Sequence, residues 1–574
     1  MPTRPVRGRS NKGELMTRIS AENLPLQRIF HWERERADRV FLTQPQAGTV
    51  REYTWAQAVN EARRMAAFLR AQGLPAGSSI AIMSRNCAHW LMADFAIWMA
   101  GHVSVPLYPT LTATSVRQVL EHSESRAIFA GKLDAWGDML RGVPEGLLRI
   151  SFPSSPPNTF SSWDDIVAHT GALSDPLLRD AGELATIVYT SGTTGTPKGV
   201  LHSFANLAWS ADNMIQHLGV CSEDRMLSYL PLSHVAERQV LQMIAVRTGL
   251  HVFFCESLDT FMNDLRRARP TLFISVPRLW VKFQRGVSTK LADARLRRLL
   301  AIPVLGTIVR KRLLRELGLD HVRIAGSGAA PIPESTMRWY RDLGLELLEG
   351  YGMTELFGLS HMCRSGQVRV GYVGQPLDGV DCRLSEAGEV LVRSPANTQG
   401  YFRDPERTSE LFTEDGYIHT GDRGLIDGMN RLKITGRVKE LFKTSKGKYV
   451  APAPIENMLA AHSCVEACCV TGANQHQPCA LLVLSPETMA SHNRPGHRDA
   501  LRQSLEEHLV AVNASLDPHE RLHFVTIVAD EWNVENDFLT PTLKVKRNVI
   551  DATYGPYLDD WYARGETVIW QDST

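Results

Sequence analysis

Apolar side chains recur at helical spacing over residues 55–72, from Trp55 through Val59, Met65 and Leu69, and Gly73 follows as a stop. That pattern predicts an amphipathic helix closed by a glycine cap. Short unbroken apolar runs come next at Ser79–Ser84, Val103–Leu107 and Ala127–Ala130, with a helical stretch over Cys87–Met99. Strand, helix and strand in this order predict parallel α/β layers. Residues 152–162, rich in Ser and Pro, read as a surface loop. Further strands are expected at His321–Ala325 and Gly388–Arg393, and a turn at Asn397–Phe402. The run Cys464–Gly472 reads as a buried strand ending at a glycine. Its cysteines, although near His462, are then core thiols and not metal ligands.

With 574 residues the chain is too long for one core, so two or more domains are expected. A composition of 44% hydrophobic and 22% charged residues is that of a soluble globular enzyme. The net charge of +1 gives no electrostatic case for a nucleic-acid partner. The most membrane-like run, Trp90 to Tyr108, is interrupted by Asp94 and His102. Residues 1–19 carry Arg4, Arg7, Arg9 and Lys12 without a following apolar core, which reads as a basic, disordered tail and not a signal peptide. Nine cysteines without a C-x-x-C pair suggest reduced thiols and a cytoplasmic location. Residues 288–317 alternate apolar patches with Lys290, Arg295, Arg297, Arg298, Arg310, Lys311, Arg312 and Arg315. Such a stretch is either a peripheral membrane contact or a solvated helical face. No repeat is visible, and no residue pattern sets an oligomeric state.

The chemistry concentrates in residues 186–200, Thr-Ile-Val-Tyr-Thr-Ser-Gly-Thr-Thr-Gly-Thr-Pro-Lys-Gly-Val. A β-branched strand runs into hydroxyls and glycines that suit no packed core. Glycines let backbone N–H groups approach an anion, hydroxyls add donors, and Lys198 adds charge. The Gly-Lys-Ser/Thr order of the mononucleotide P-loop is absent. Downstream, Ala325-Gly-Ser-Gly-Ala-Ala-Pro331 offers small residues against which a flat ligand can lie. In Leu345–Leu356, Tyr351 can stack on a purine, Thr354 can donate to phosphate, and Glu355 supplies a hard oxygen. Asp422, after Tyr417-Ile-His-Thr-Gly, can accept from hydroxyls.

These stretches resemble the adenylate-forming enzymes, a superfamily of acyl-CoA synthetases, luciferases and peptide-synthetase adenylation domains. The likeness runs from about residue 25 to about residue 555. Tyr229–Arg238, Arg269–Phe283 and Leu539–Asn548 are similar to its long-chain fatty-acid–CoA ligases. The resemblance implies a large α/β domain over residues 20–436 and a smaller, hinged C-terminal α+β domain over residues 437–574. It implies activation of a long-chain fatty acid by ATP to acyl-AMP, then transfer to coenzyme A, with Mg²⁺ as the metal. It places Thr190, Ser191, Gly192, Thr193, Thr194, Gly195 and Lys198 on the pyrophosphate, and Thr190 with Glu355 on Mg²⁺. Gly328 and Ala329 would wall the adenine and acyl pockets, Tyr351 and Gly352 would hold the base, and Thr354 the α-phosphate. Asp422 and Arg437 would take the ribose, and Lys439 would be the hinge. His234 would gate or wall the acyl pocket, and Lys544 would bridge carboxylate and α-phosphate. Residues 443–456 would line the CoA channel, with Lys446 where many relatives have glycine. Thr542-Leu543-Lys544 stands where most relatives read Ser-Gly-Lys. Three alternatives remain open. An acyl-AMP ligase could load a carrier protein in trans, since the roughly 30 residues after Lys544 are too few for a carrier domain. A luciferase-like oxygenase would consume O₂. A non-catalytic nucleotide-binding scaffold sits poorly with an intact Lys198, Glu355, Asp422 and Lys544.

Overall fold

The computed structural model describes residues 19–190, 197–491, 496–540 and 544–571. Ser191, Gly192, Thr193, Thr194 and Gly195 therefore lie outside the described residues, as do Thr542, Leu543 and the tail before residue 19.

The first half of the chain builds a seven-stranded sheet. Its spatial order is Ser161–Ser162, Leu148–Ser151, Ala127–Ala130, Ser79–Met83, Val103–Leu107, β1 (Leu184–Thr190) and β2 (Lys198–Ser203). Neighbours pair in parallel up to β1, and β2 returns antiparallel. The predicted helix spans Trp55–Ala71, and Thr54 with Gln57 forms a capping box at its start. The second predicted helix, Ala88–Met99, is buried along its whole length. Asp94, which breaks its apolar run, meets Arg238 at 2.8 Å with both side chains fully buried. The pairing explains how a charge can sit there at all. The expected loop over 152–162 is shorter than its composition suggests. Phe152 is buried, and Ser161–Ser162 adds a parallel edge strand.

Three helices follow: α1 (Pro277–Ser288), α2 (Asp293–Leu300) and α3 (Pro303–Glu316). A five-stranded sheet orders Leu272–Ser275, Ile324–Ser327, β3 (Leu347–Met353), β4 (Gly358–Met362) and Gln375–Pro376. Its first three strands are parallel. The strand expected at His321–Ala325 is shifted to Ile324–Ser327, because register with Leu272–Ser275 selects those residues. Gly326 and Ser327 hid the strand from an apolar pattern. A four-stranded antiparallel sheet then holds Asp381–Leu384, Glu389–Arg393, β5 (Ile418–Ile426) and β6 (Leu432–Arg437).

Past a single 3-10 turn, Val438–Glu440, the C-terminal part has its own apolar cluster, including Ile455, Leu482, Leu505 and Val525. Its sheet is mixed. The strand β7 (Val465–Thr471) pairs antiparallel with Cys479–Leu484, and parallel strands Val525–Ile527 and Val568–Trp570 complete it. β7 is the buried strand predicted over the cysteines, and Gly472 ends it at φ +107°. Among the described residues, no cluster of His, Cys, Asp or Glu could hold a metal, and no helix is long and apolar enough to cross a membrane.

Candidate active site

The hairpin β1–β2 carries the first ligand candidates. Thr190, the last residue of β1, pairs with Lys198, the first of β2. The irregular span is thus shorter than the ten polar and small residues suggested. Ladder hydrogen bonds hold Lys198 and Gly199 as strand, so Lys198 leaves from a fixed backbone and not from a flexible loop. A Cβ at Gly199 would press on Ile187 at 2.8 Å, so the hairpin needs glycine there.

Beside β2 runs the segment predicted as a turn, Asn397–Phe402. It is stitched along the strand edge: the Leu201 N–H donates to Gly400 O at 3.0 Å and the Phe402 N–H to Gly199 O at 2.7 Å. This places Tyr401 between two predicted site residues. Its hydroxyl donates to Glu355 Oε1 at 2.7 Å, and the Lys198 ammonium lies 5.3 Å from its ring centre. Thr398 donates its N–H to the Glu355 carbonyl at 2.7 Å. His202 on β2 donates from Nε2 to the Thr354 carbonyl at 2.8 Å. Burial lowers the His202 pKa to about 3, so the ring is a neutral strut. Thr354 and Glu355 form a 3-10 turn after β3, held from both sides. A single carboxylate with a nearby hydroxyl suits Mg²⁺, which completes its shell from phosphates and water.

On β3, the Tyr351 hydroxyl donates to Asp422 Oδ2 at 2.6 Å. Arg437 pairs with Asp422 Oδ1 at 3.0 Å, across the β5–β6 register that puts Asp422 opposite Arg437. Burial raises the Asp422 pKa, against the pull of Arg437, the Tyr351 hydroxyl and Lys544. The two predicted ribose ligands therefore touch each other, and Tyr351 is tethered to them edge-on. Gly352 is required by packing, since a Cβ there would collide with the Gly358 carbonyl. Gly328 and Ala329 turn sharply out of Ile324–Ser327. A Cβ on Gly328 would stand 3.3 Å from Gly350 O, and Ala329 adopts φ +67°.

His234 caps a short helix, its Nδ1 accepting from the Ala236 N–H at 3.1 Å. Burial, and then the charge of Lys544, lowers its pKa to about 4. A neutral ring whose Nδ1 is occupied is a wall and not a base. The Glu237-Arg238 pair after it is structural. Ser228 donates to Glu237 at 3.0 Å, and burial raises the Glu237 pKa to about 8.

Lys544 arrives from the other domain. Its N–H donates to Thr540 Oγ1 at 3.0 Å and its carbonyl accepts from the Thr540 N–H at 2.8 Å, closing a tight turn. Lys544 is exposed on that turn, yet surrounding protein desolvates its ammonium, as at a cleft mouth. Desolvation and then Arg437 lower its pKa, while Asp422, Glu440 and Glu355 pull the other way. Lys544 is thus within electrostatic reach of the Asp422, Glu355 and His234 groups. Arg547, at the start of the next helix, binds both Glu456 oxygens at 2.6 Å and Glu440 at 3.4 Å. It ties the Lys544 turn to the crossover, where Lys439 is exposed. The C-terminal part docks on α1, with Arg278 ion-paired to Glu466 and Arg285 donating to the His462 carbonyl at 3.0 Å. Sequence reasoning missed Tyr401, His202, Arg278 and Arg547. Only the Gly400-Tyr401-Phe402 stretch carried a signal, and that signal read as a turn.

The carboxyl ends of parallel strands from two sheets, an antiparallel sheet bearing Asp422, and a lysine from a second domain thus face one cleft, the arrangement of a nucleotide-using α/β enzyme. Residues 29–402 match the AMP-binding enzyme family and residues 440–566 its C-terminal domain; the chain belongs to this family. It is 30% identical to a long-chain-fatty-acid–CoA ligase of Mycobacterium bovis, over 93% of this chain and 96% of that one. It is 32% identical to a peroxisomal long chain acyl-CoA synthetase of Arabidopsis thaliana, over 87% of this chain and 80% of the relative. The fold is similar to the A domain of a carboxylic acid reductase from Segniliparus rugosus solved with AMP and a carboxylic acid. That similarity has a TM-score of 0.80 at 22% identity, over 96% of each chain. An anthranilate CoA ligase solved with anthranoyl-AMP gives 0.77 at 19% identity, over 94% of this chain and all of that one.

Proposed function

We propose that this protein is an ATP-dependent long-chain fatty-acid–CoA ligase. The observation that carries the reading is Lys544, brought by one domain to the Glu355, Asp422 and His234 side of the other. A fatty acid has no good leaving group. Its carboxylate attacks the α-phosphorus of ATP, the bond to pyrophosphate breaks, and acyl-AMP results. The thiol of CoA then attacks the acyl carbon and AMP leaves. Two anions must meet in the first step, so positioning and charge neutralisation dominate. In this reading Lys544 bridges carboxylate and α-phosphate, and Lys198 with Thr190 and its loop holds the departing pyrophosphate. Thr354 donates to the α-phosphate, Asp422 and Arg437 take the ribose, and Tyr351, Gly352, Gly328 and Ala329 wall the adenine. Glu355 with Thr190 would hold Mg²⁺, which spreads the phosphate charge. His234 walls the acyl side. The large domain is taken as residues 20–436, and the small one turns at Lys439 for the second step.

The relatives named as long-chain ligases support the substrate class. So does the apolar cluster around Tyr229, Phe261 and Phe273 beside the His234 segment. Each buried methylene is worth about 0.8 kcal/mol in a fitting pocket, so the optimum is expected at about C10 or longer. Acids from acetate to eicosanoate, assayed with ATP and CoA for AMP release, test this. An optimum at acetate or at an aromatic acid refutes it, and AMP release that needs an acyl carrier protein in place of CoA assigns the carrier-loading reaction.

A further inference from the structure

Helix α3 is an odd surface element. Of its 14 residues, all described, Gly306 is the one that is buried. Ile302, Val304, Leu305 and Ile308 are 49%, 75%, 38% and 57% exposed. Single exposed aliphatics are ordinary; four within one helical turn and its lead-in are a patch. Val304, Ile308, Lys311, Arg312 and Arg315 follow at helical spacing, so one stripe runs from apolar to basic. Helix α2 adds exposed Arg295, Arg297 and Arg298 beside it. Residues 288–317 hold eight basic residues against Asp293 and Glu316, in a chain whose net charge is only +1. Some of these charges are engaged: Arg312 with Glu316, Arg315 with Asp320, and Arg310 with the Asp342 carbonyl. The excess remains strongly positive.

The apolar tip is not needed for the core. Leu296, Leu300, Val309, Leu313 and Leu314 already fix α2 and α3 onto the cluster that holds Phe273 and Trp280. That cluster also contacts Tyr229, at the start of the segment leading to His234. The outer patch therefore sits at the far side of the apolar body that backs the acyl wall.

We infer that the tip of α3, flanked by the arginines of α2, seats the protein on an anionic lipid bilayer. The aliphatic residues would enter the headgroup boundary and the basic stripe would meet lipid phosphates. A nucleic acid would match the charge but leave four aliphatics without a partner. The inference rests on the proposed function only for its purpose, the capture of a membrane-dissolved acid, and its test needs no substrate.

The test is co-sedimentation of the full chain with vesicles of phosphatidylcholine alone or mixed with phosphatidylglycerol, at low and physiological salt. The protein is expected to pellet with the anionic vesicles only, and less as salt rises. The triple variant Arg297→Gln, Arg298→Gln, Arg312→Gln should bind about 100-fold more weakly, at about fivefold per charge. Val304→Asp with Ile308→Asp should lose binding while keeping the wild-type rate on a soluble medium-chain acid without vesicles. No wild-type pelleting with anionic vesicles at low salt overturns the inference. So does equal pelleting of wild type and both variants, or binding to a duplex oligonucleotide that the triple variant abolishes while vesicle binding survives. If the acid panel fails but these vesicle results hold, the surface stands and the substrate reading falls.

Discussion

The two sides of the cleft are built to different standards of rigidity. On the large domain, Glu355 is held by Tyr401, its backbone by Thr398 and its neighbour by His202, while Asp422 is held by Tyr351 and Arg437. Each group stands on a strand or on a turn pinned to strands. On the small domain, Lys544 sits on one tight turn. Only Arg547 and the contacts of α1 with Glu466 and His462 relate that turn to the rest. The contrast teaches a division of labour. One half is a preorganised cradle, and the other delivers a charge that a modest number of surface contacts can place and release.

Removing the delivered charge should have the largest effect. Lys544→Ala is expected to lower acyl-AMP formation about 100-fold to 1,000-fold, the scale of losing one preorganised stabilising group. Pyrophosphate exchange measures that step. CoA-dependent consumption of supplied acyl-AMP should be nearly unchanged. Equal loss in both steps would make Lys544 structural and end the contrast.

Damage to the cradle should not be selective by pose in this way. Glu355→Gln keeps shape and loses charge, so ATP should still bind while adenylation falls about 10-fold to 100-fold and is partly restored by raised Mg²⁺. Tyr401→Phe removes one hydrogen bond to that carboxylate and should cost about 2-fold to 10-fold. A Tyr401→Phe loss as large as that of Glu355→Gln would show that Tyr401 touches substrate.

The docking contacts should give the smallest rate effects. Arg278 and Glu466 are partly solvated, at 60% and 30% exposure, so their pair is worth at most about 1 kcal/mol. Arg278→Ala should slow adenylation about 2-fold to 5-fold and leave the thioester step unchanged or faster. Slowing of both steps would refute a pose-specific role.

Acid should also separate the regions. Folding holds His89, His202 and His361 at about 3 and His234 and His251 at about 4, all in the large domain, below the usual 6.5, and burial is the leading cause each time. In the small domain burial, with His508 and Arg285, places His462 at about 4. The unfolded chain binds more protons in this window, so the stabilisation is whole above pH 6.5 and is lost as pH falls through about 4 to 3. Glu237 and Glu349, raised by burial to about 8 and about 7, act with the opposite sign above pH 4.5. Hydrogen exchange at pH 7 and pH 5 should show the large domain losing protection first. Uniform loss across both domains would refute this.

Local residue chemistry made much of this protein legible from its sequence. Hydrophobic periodicity placed the helices at Trp55–Ala71 and Ala88–Met99 and the cysteine-bearing strand β7, because burial on one face or along a whole element leaves a regular apolar record. Contiguous motifs named Lys198, Tyr351, Glu355, Asp422 and Lys544, since each lies within a short run of unusual composition. Tertiary structure decided what the runs could not. Strand register shifted the strand before Gly328 to Ile324–Ser327 and drew Lys198 into β2. Edge pairing brought Tyr401 to Glu355 across 46 residues of chain. Domain docking set Lys544 beside groups more than 100 positions away. A local pattern records how a residue meets its own helix or strand. Which distant side chains meet, and how strongly a shared burial shifts their charges, is settled only when the sheets and the two domains close on one another.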